Sequence, residues 1–410
     1  MTASWNMVDR SSTASIEQAA HRIDLHLKHG SSFAASTCYH GSMNDNSGAQ
    51  AAKAPVDALT LGAIDPTPLF DVVRWSYGAE LLTAAVAHFD LFALLAKQPL
   101  DLLELGNALH LAPRAANVLV TALRAMGVLV IRDEGKIAPS DLARQSLVRG
   151  AEFHMGDYVG LAAELPGVKN IVERLRTNKP VEYRPEDQGM GFMFGGGRES
   201  AMDHESSARR LTLALAGRAR IVGPALAQNF PLPRAKKVLD VGGGSGLYAI
   251  ALLRATPALR AIVWDGSEVL KVAREFARKH NVEDRMEFIA GDMFADPVPM
   301  DCDVMLLSNV LHDWDIPQCE MLLRRCAEAL ATDGRLLIHD VFLDDDLGGP
   351  LPVALYSAAL FNGTEGRAYS AAEYRQMLAS AGLRGGAVVP TLVHCGVMPA
   401  IRKQGMSQDP

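Results

Sequence analysis

A histidine followed by an acid at His312-Asp313, a glycine run at Gly242-Gly243-Gly244-Ser245-Gly246, and carboxylates at Asp265 and Asp292 are the residues whose types and spacing could do chemistry in this sequence. An imidazole takes up a proton near neutral pH, so a histidine just beyond a strand end that faces a ligand is suited to general-base work. Glycines at a strand-to-helix turn let the backbone come close to a bound molecule, as nucleotide-binding folds require. Here Asp240-Val241 runs into GGGSG, which does not fit the dinucleotide pattern GxGxxG in its usual register. Asp265 follows Trp264 at the end of the next strand, where a carboxylate could accept both hydroxyls of a ribose. Gly291-Asp292-Met293-Phe294 follows a third strand and offers an acceptor beside an apolar surface for a purine. The bland alternatives are a helix cap for Asp265 and a turn residue for Asp292. Three ligand contacts at three successive strand ends are more specific than either residue alone.

The elements that must position these groups alternate between strand and helix: 237–241, 246–255, 260–264, 270–280, 286–290, 304–309, 316–331 and 335–340. Such a series predicts an α/β fold with a doubly wound parallel sheet, whose ligands bind at the carboxyl ends of the strands. His312 then falls just past the fourth strand and Asp340 at the end of the fifth. By strand alternation His339 points away from Asp340 and reads as structural, with a His312/His339/Asp metal site as the alternative.

Ahead of this series, residues 1–60 are rich in Ser, Ala, Asn, Gly and His and read as a flexible tail. Apolar residues at helical spacing predict one long helix over 68–95, followed by helices over 102–109 and 113–126 and a small hairpin over 128–131 and 136–138. Three helices and a hairpin suggest a winged helix. Its candidate recognition helix carries only Arg114 and Arg124 among apolar residues, so packing or dimer contact suits it better than DNA. Residues 152–220 read as further helices, interrupted by a loop over 180–198 that could fold over a ligand or simply be pinned by buried aromatics. Met155, Tyr158, Phe192, Met193, Phe194, Phe361 and Asn362 are candidate substrate-lining residues, although methionines and aromatics at helical spacing also build cores.

Charge and composition narrow the partners. A net charge of −7 gives no field that would draw nucleic acid or an anionic membrane, which leaves a small molecule as the expected substrate. Five cysteines without a CxxC pair point to a reducing cytoplasm, and no apolar run reaches the ~18 residues needed to span a bilayer. No signal peptide is evident.

Over residues 68–402 the chain resembles the class I S-adenosylmethionine (SAM)-dependent methyltransferases, specifically the plant-type small-molecule O-methyltransferases and their bacterial relatives. Val238-Leu239-Asp240 before GGGSG, Trp264-Asp265, the GDMF segment and Leu311-His312-Asp313-Trp314 carry that resemblance together. It implies an N-terminal helical winged-helix domain that dimerises and closes part of the partner's substrate pocket (61–220), and a Rossmann-like domain holding SAM (221–403), with 404–410 as a short tail. It also implies that Asp265 binds the ribose, that Asp292, Met293 and Phe294 lie beside the adenine, and that Asp240, Gly242, Gly243, Gly244, Gly291 and Asn309 complete the cofactor site. His312 matches the family's general base, Asp340 its carboxylate partner where Glu is more common, and Glu365 its second carboxylate. The expected activity is SAM-dependent transfer of a methyl group to a hydroxyl of a small aromatic or polyketide-like metabolite by a homodimer without a metal. The alternatives are C-methylation of a 2-oxo acid, N-methylation, a SAM-binding enzyme that transfers no methyl group, and a winged-helix SAM sensor.

Overall fold

A computed structural model describes residues 60–180 and 201–403. The tail expected over 1–60, Thr60 apart, the candidate lining residues Phe192, Met193 and Phe194, and residues 404–410 lie outside the described residues.

The helical part opens with α1 (Thr67–Thr83) and α2 (Leu91–Lys97). These replace the single helix expected over 68–95: a π turn over Ala84–His88 and a left-handed Asp90, at φ 45°, bend the path by 62°. Aspartate tolerates that conformation better than most residues, and the apolar spacing runs on without marking the break. Helices α3 (Leu102–Leu109) and α4 (Pro113–Ala125) lie where the periodicity predicts them. Asp101 and Glu104 form a reciprocal capping box at the start of α3. Strands β1 (Leu129–Ile131) and β2 (Ile137–Pro139) make the expected hairpin. Leu81, Leu91, Phe92, Leu95, Leu119 and Leu123 are wholly or almost wholly buried at the centre of this layer. Short helices α5 (Asp141–Ser146) and α6 (Gly156–Gly160) and then α7 (Pro166–Thr177) complete it.

The 25-residue helix α8 (Glu205–Asn229) runs on past residue 220, where the sequence reading ends the helices and places the domain boundary. Its packing assigns it whole to the sheet layer: Ala216, Ala219, Val222 and Leu226 share one core with α9 (Leu247–Ala255) and α10 (Ser267–Lys279). The sheet is built from β3 (Lys237–Val241), β4 (Arg260–Asp265), β5 (Met286–Ala290), β6 (Val304–Ser308) and β7 (Arg335–Leu343), all parallel. Their spatial order is β7-β6-β3-β4-β5, so the chain winds one way from β3 and the other way from β6. The crevice between those two strands is the switch point at which doubly wound sheets bind ligands.

Helix α11 (Ile316–Ala329) joins β6 to β7. Beyond β7 come α12 (Leu351–Gly363), β8 (Tyr369–Ser370), α13 (Ala371–Ser380), β9 (Leu383–Gly385), β10 (Val389–Pro390) and β11 (Cys395–Arg402). Strand β11 adds an antiparallel edge against β7. Helix α12 crosses back to pack on α1 and α4, and its Ala358 and Phe361 belong to the core of the helical layer. Among the described residues no single helix is long and apolar enough to cross a membrane.

Candidate active site

Strand β3 delivers the chain into the glycine turn, where Gly242, Gly244 and Gly246 take φ of 61°, 57° and 71°. These are left-handed conformations that other residues adopt at a cost. At Gly243 an added Cβ would come within 2.8 Å of the Asp240 Cγ and 2.9 Å of Val263. Asp240 therefore lies under the turn, wholly buried, where burial pushes its carboxyl up to about 7. Asp265, at the tip of β4, accepts the Gly244 N–H at 2.8 Å through one oxygen and the Gly266 N–H at 2.7 Å through the other. Its second lone pairs remain for a ligand.

A cavity of about 870 Å³ opens at these strand ends. Of the residues expected to hold a cofactor, Gly242, Gly244, Asp265, Gly291, Asp292, Met293, Phe294 and Asn309 line it, as does Glu365. Asp240 and Gly243 do not: they support the turn from behind. Asp292 also does turn work, accepting the Phe294 N–H at 2.8 Å, and the Phe294 ring meets Trp314 edge-on at 4.6 Å. Thr212 and Leu215 of α8 form a wall that sequence patterning missed, because a uniformly helical segment carries no sign of which sheet end it will cover. Five carboxylates, Asp203, Asp265, Asp292, Asp313 and Glu365, face the cavity, and among the described residues no Lys, Arg or His does. A sulfonium-bearing nucleoside suits that lining: acid for the cation, a ribose acceptor on β4 and an apolar, aromatic surface beside Met293 and Phe294.

Beside the cavity, His312 sits on a single 3-10 turn, Leu311–Asp313, after the left-handed Asn309 at φ 56° turns the chain off β6. The imidazole is 4% exposed and its Nδ1 lies 2.6 Å from Asp340 Oδ1. A carboxylate at that distance accepts a proton held on Nδ1, which leaves Nε2 with its lone pair. Burial disfavours the imidazolium, but the charges of Asp340 and then Asp313 outweigh it and hold the histidine above its ordinary 6.5. Asp340 is itself buried, yet His312 and the Val341 N–H keep its carboxyl below the usual range. Tyr374 donates to its other oxygen at 3.1 Å. Asp313, 3.7 Å from Nε2 through Oδ1, is pushed up to about 6 by burial.

Glu365 reaches the cavity from the loop after α12. Burial raises its carboxyl against the pull of Arg114. That arginine is buried and donates to the carbonyls of Thr364 and Gly366, which fixes the loop from the helical layer. Arg124, the second basic residue of α4, is engaged with Asp346. His339 bonds Ser308 Oγ at 2.8 Å through Nδ1 and Thr391 Oγ1 at 3.3 Å through Nε2, and burial drops it to about 3, so it is a neutral structural group. Among the described residues no group of three or more His, Cys, Asp or Glu is arranged to hold a metal ion.

The candidate lining residues fare differently. Met155 and Tyr158 are 45% and 73% exposed and stand apart from the cavity wall. Phe361 is a core residue with the Arg114 guanidinium 4.8 Å from its ring, and Asn362 bonds Tyr77. A further group beside His312 was not foreseen. The Tyr356 ring meets the imidazole edge-on at 5.7 Å, Arg74 lies 3.8 Å from that ring, and Arg218 donates to Asn309 Oδ1 and Cys395 Sγ. Three separate elements supply it, and no motif links them.

The sequence signature of an O-methyltransferase domain matches residues 176–384. The 3-hydroxy-5-methyl-1-naphthoate 3-O-methyltransferase of Streptomyces sahachiroi is 35% identical over 319 residues, which cover 77% of this chain and 89% of that protein. The tetracenomycin polyketide synthesis 8-O-methyl transferase TcmO of Streptomyces glaucescens is 33% identical, covering 77% and 91%. An O-methyltransferase family 2 protein from Planctomyces limnophilus, crystallised with apigenin, is 44% identical, covers 85% of this chain and 99% of that one, and superposes with a TM-score of 0.76.

Proposed function

The chain belongs to the plant-type O-methyltransferase family of SAM-dependent enzymes, and we propose that it methylates a hydroxyl of a small aromatic or polyketide-like molecule with His312 as general base. The acceptor class is drawn from the naphthoate and tetracenomycin relatives, which span most of this chain. One observation carries the catalytic reading: a buried His312–Asp340 pair at 2.6 Å, next to a cavity lined with acids.

SAM supplies an electrophilic methyl carbon on a sulfonium, so the protein's task is alignment, exclusion of water and removal of one proton. Asp265 would accept the ribose hydroxyls of SAM, Met293 and Phe294 would border its adenine, and the acidic lining would complement its positive charge. The Nε2 of His312 takes the hydroxyl proton of the acceptor. Asp340 holds the Nδ1 proton and stabilises the imidazolium that results. Glu365 borders the same cavity, its loop pinned by Arg114. We further infer a homodimer, supported by apolar side chains left exposed along α1: Leu69, Val72 and Val73, at helical spacing on one face, with Trp75 beside them.

Incubation with methyl-labelled SAM and a panel of phenols and naphthols tests the activity. Transfer to a ring hydroxyl is expected, and His312→Ala should lower it by ~10²-fold or more while leaving SAM affinity intact. Undiminished transfer in that variant would exclude His312 as the base.

A further inference from the structure

The carboxylate beside His312 is itself gripped from a third direction. Asp340 is wholly buried on β7, and its Oδ1 is shared between His312 Nδ1 at 2.6 Å and the Val341 N–H at 2.8 Å. Its Oδ2 accepts from the Tyr374 hydroxyl at 3.1 Å. A buried carboxylate oxygen left without a donor is costly, and among the described residues this hydroxyl is the donor that meets Oδ2. Tyr374 is held rigidly for the task. It closes the first turn of α13, whose start is fixed by a reciprocal capping box between Ser370 and Glu373. Its ring is wholly buried and packs edge-on against Phe342 of β7 at 5.4 Å and Tyr369 of β8 at 5.5 Å.

An O–H dipole aimed at Asp340 presents its positive end to the His312–Asp340 pair. It therefore favours the form in which the pair is net negative, which is the form with a neutral imidazole. The hydroxyl thus opposes Asp340 and Asp313, whose charges hold His312 above 6.5. Burial and the adjoining carboxylate push the Tyr374 phenol well above its ordinary 10, so it stays a donor while the histidine titrates. The other groups facing the pair are fixed in charge or lie apart from Tyr374. Arg218 of α8 disfavours protonation of both partners. Cys319 of α11, Tyr356 of α12, Tyr369 of β8 and Cys395 of β11 are kept protonated by burial, and His339 of β7 is kept neutral by it. Asp313, pushed up to about 6, meets the imidazole at Nε2, the nitrogen turned away from Asp340.

We propose that Tyr374 is a positioning residue for the base: its hydroxyl holds Asp340 with Oδ1 toward His312 Nδ1 and keeps the imidazole neutral, ready to take the acceptor's proton. This rests on the reading of His312 as general base given above. No proton reaches Tyr374 in the reaction. The acceptor's proton goes to Nε2, the Nδ1 proton stays in place, and the phenol acts only through Asp340.

Two measurements on the full chain test this. NMR titration of the histidine Cε1 signals, with that of His312 identified by its loss in His312→Asn, reads the base without turnover, and a kcat/KM profile with a naphthol reads it in turnover. In Tyr374→Phe both midpoints are expected to move alkaline by about half a pH unit or more, the scale of losing one donor to a charged pair. Transfer should then fall about threefold or more below the midpoint and recover at high pH. A side chain that only fills the core would lower the rate at every pH and leave both midpoints in place. That outcome overturns the proposal, as does a move to lower pH. The amino acid 3-fluorotyrosine in place of Tyr374 keeps the ring and strengthens the donor, so the midpoints should move the other way. This variant decides if the phenylalanine chain fails to fold, and unmoved midpoints in it also overturn the proposal. Transfer undiminished in His312→Ala removes the base reading and this proposal with it, whereas transfer lost in His312→Ala with an unmoved titration in Tyr374→Phe removes this proposal alone.

Discussion

At the scale of single residues, His312 is held in a balance that one neighbour tips. Its proton affinity lies above the ordinary 6.5 because Asp340 and Asp313 outweigh burial. The imidazolium form of the pair therefore adds stability that is fully present below about 6.5 and is lost as pH rises through the folded-state value. Asp340 is shifted the other way from 3.8, so its share is present above that value and lost as pH falls through its own lowered one. In the proposed role of general base His312 must be neutral, so kcat/KM should rise with pH through a midpoint alkaline of 6.5. Asp340→Asn removes the strongest charge holding the proton while burial stays, so the midpoint should move to lower pH and the rate fall by on the order of 10²-fold. A pH–rate profile whose midpoint stays put would remove Asp340 from this role. Legibility at this scale follows sequence locality. Asp265, the GDMF segment and His312 each sit in a short motif beside a strand end, and the cavity forms among them. Arg74, Arg218 and Tyr356 come from α1, α8 and α12 with no shared pattern, and only the folded chain brings them together.

Among elements, the 3-10 turn that carries His312 is held by its neighbours more than by its own one-turn length. Cys319 donates to the Leu311 carbonyl, Tyr369 to that of Trp314, and the backbone of Gly366 packs directly on the turn. A Cβ at Gly366 would stand 2.2 Å from the His312 carbonyl and 2.5 Å from the Trp314 nitrogen, both backbone atoms that cannot rotate aside. Gly366→Ala should thus displace His312, cutting turnover by ~10²-fold if His312 is the base as proposed, and destabilising the chain by ~1–3 kcal/mol. Kinetics with a thermal melt check this, and unchanged turnover would mean that the turn tolerates a shift. Calorimetric SAM affinity should change little, because Asp265 and the glycine turn belong to other strand ends. The alternating strands and helices were readable because each strand is a short apolar run bounded by turn residues. The break between α1 and α2 was not, since it needs only a left-handed Asp90. Nor was the allegiance of α8, which depends on the partner its small-residue face meets.

For the whole molecule, the family resemblance implies a helical domain and a sheet domain but says nothing of how the two interlock. Helix α12 lies beyond the parallel sheet in sequence and yet fills the helical core with Ala358 and Phe361. The outer face of that layer is apolar as well: Leu69, Val72, Val73 and Trp75 are 71%, 61%, 77% and 61% exposed. An apolar row this open favours association, so light scattering should report two copies for the unmodified chain and one for Leu69→Glu/Val73→Glu. A single-copy mass for the unmodified chain would end the dimer reading.

Arg114 gives the interlocking a practical edge. Its guanidinium leaves the helical layer and grips the loop bearing Glu365 by two carbonyls, so the outer helices act as a brace on the chemistry and not as a detachable cover. Grafting a different helical layer onto this sheet, in the hope of a new acceptor range, would therefore loosen Glu365 unless the graft brings its own arginine to the same two oxygens.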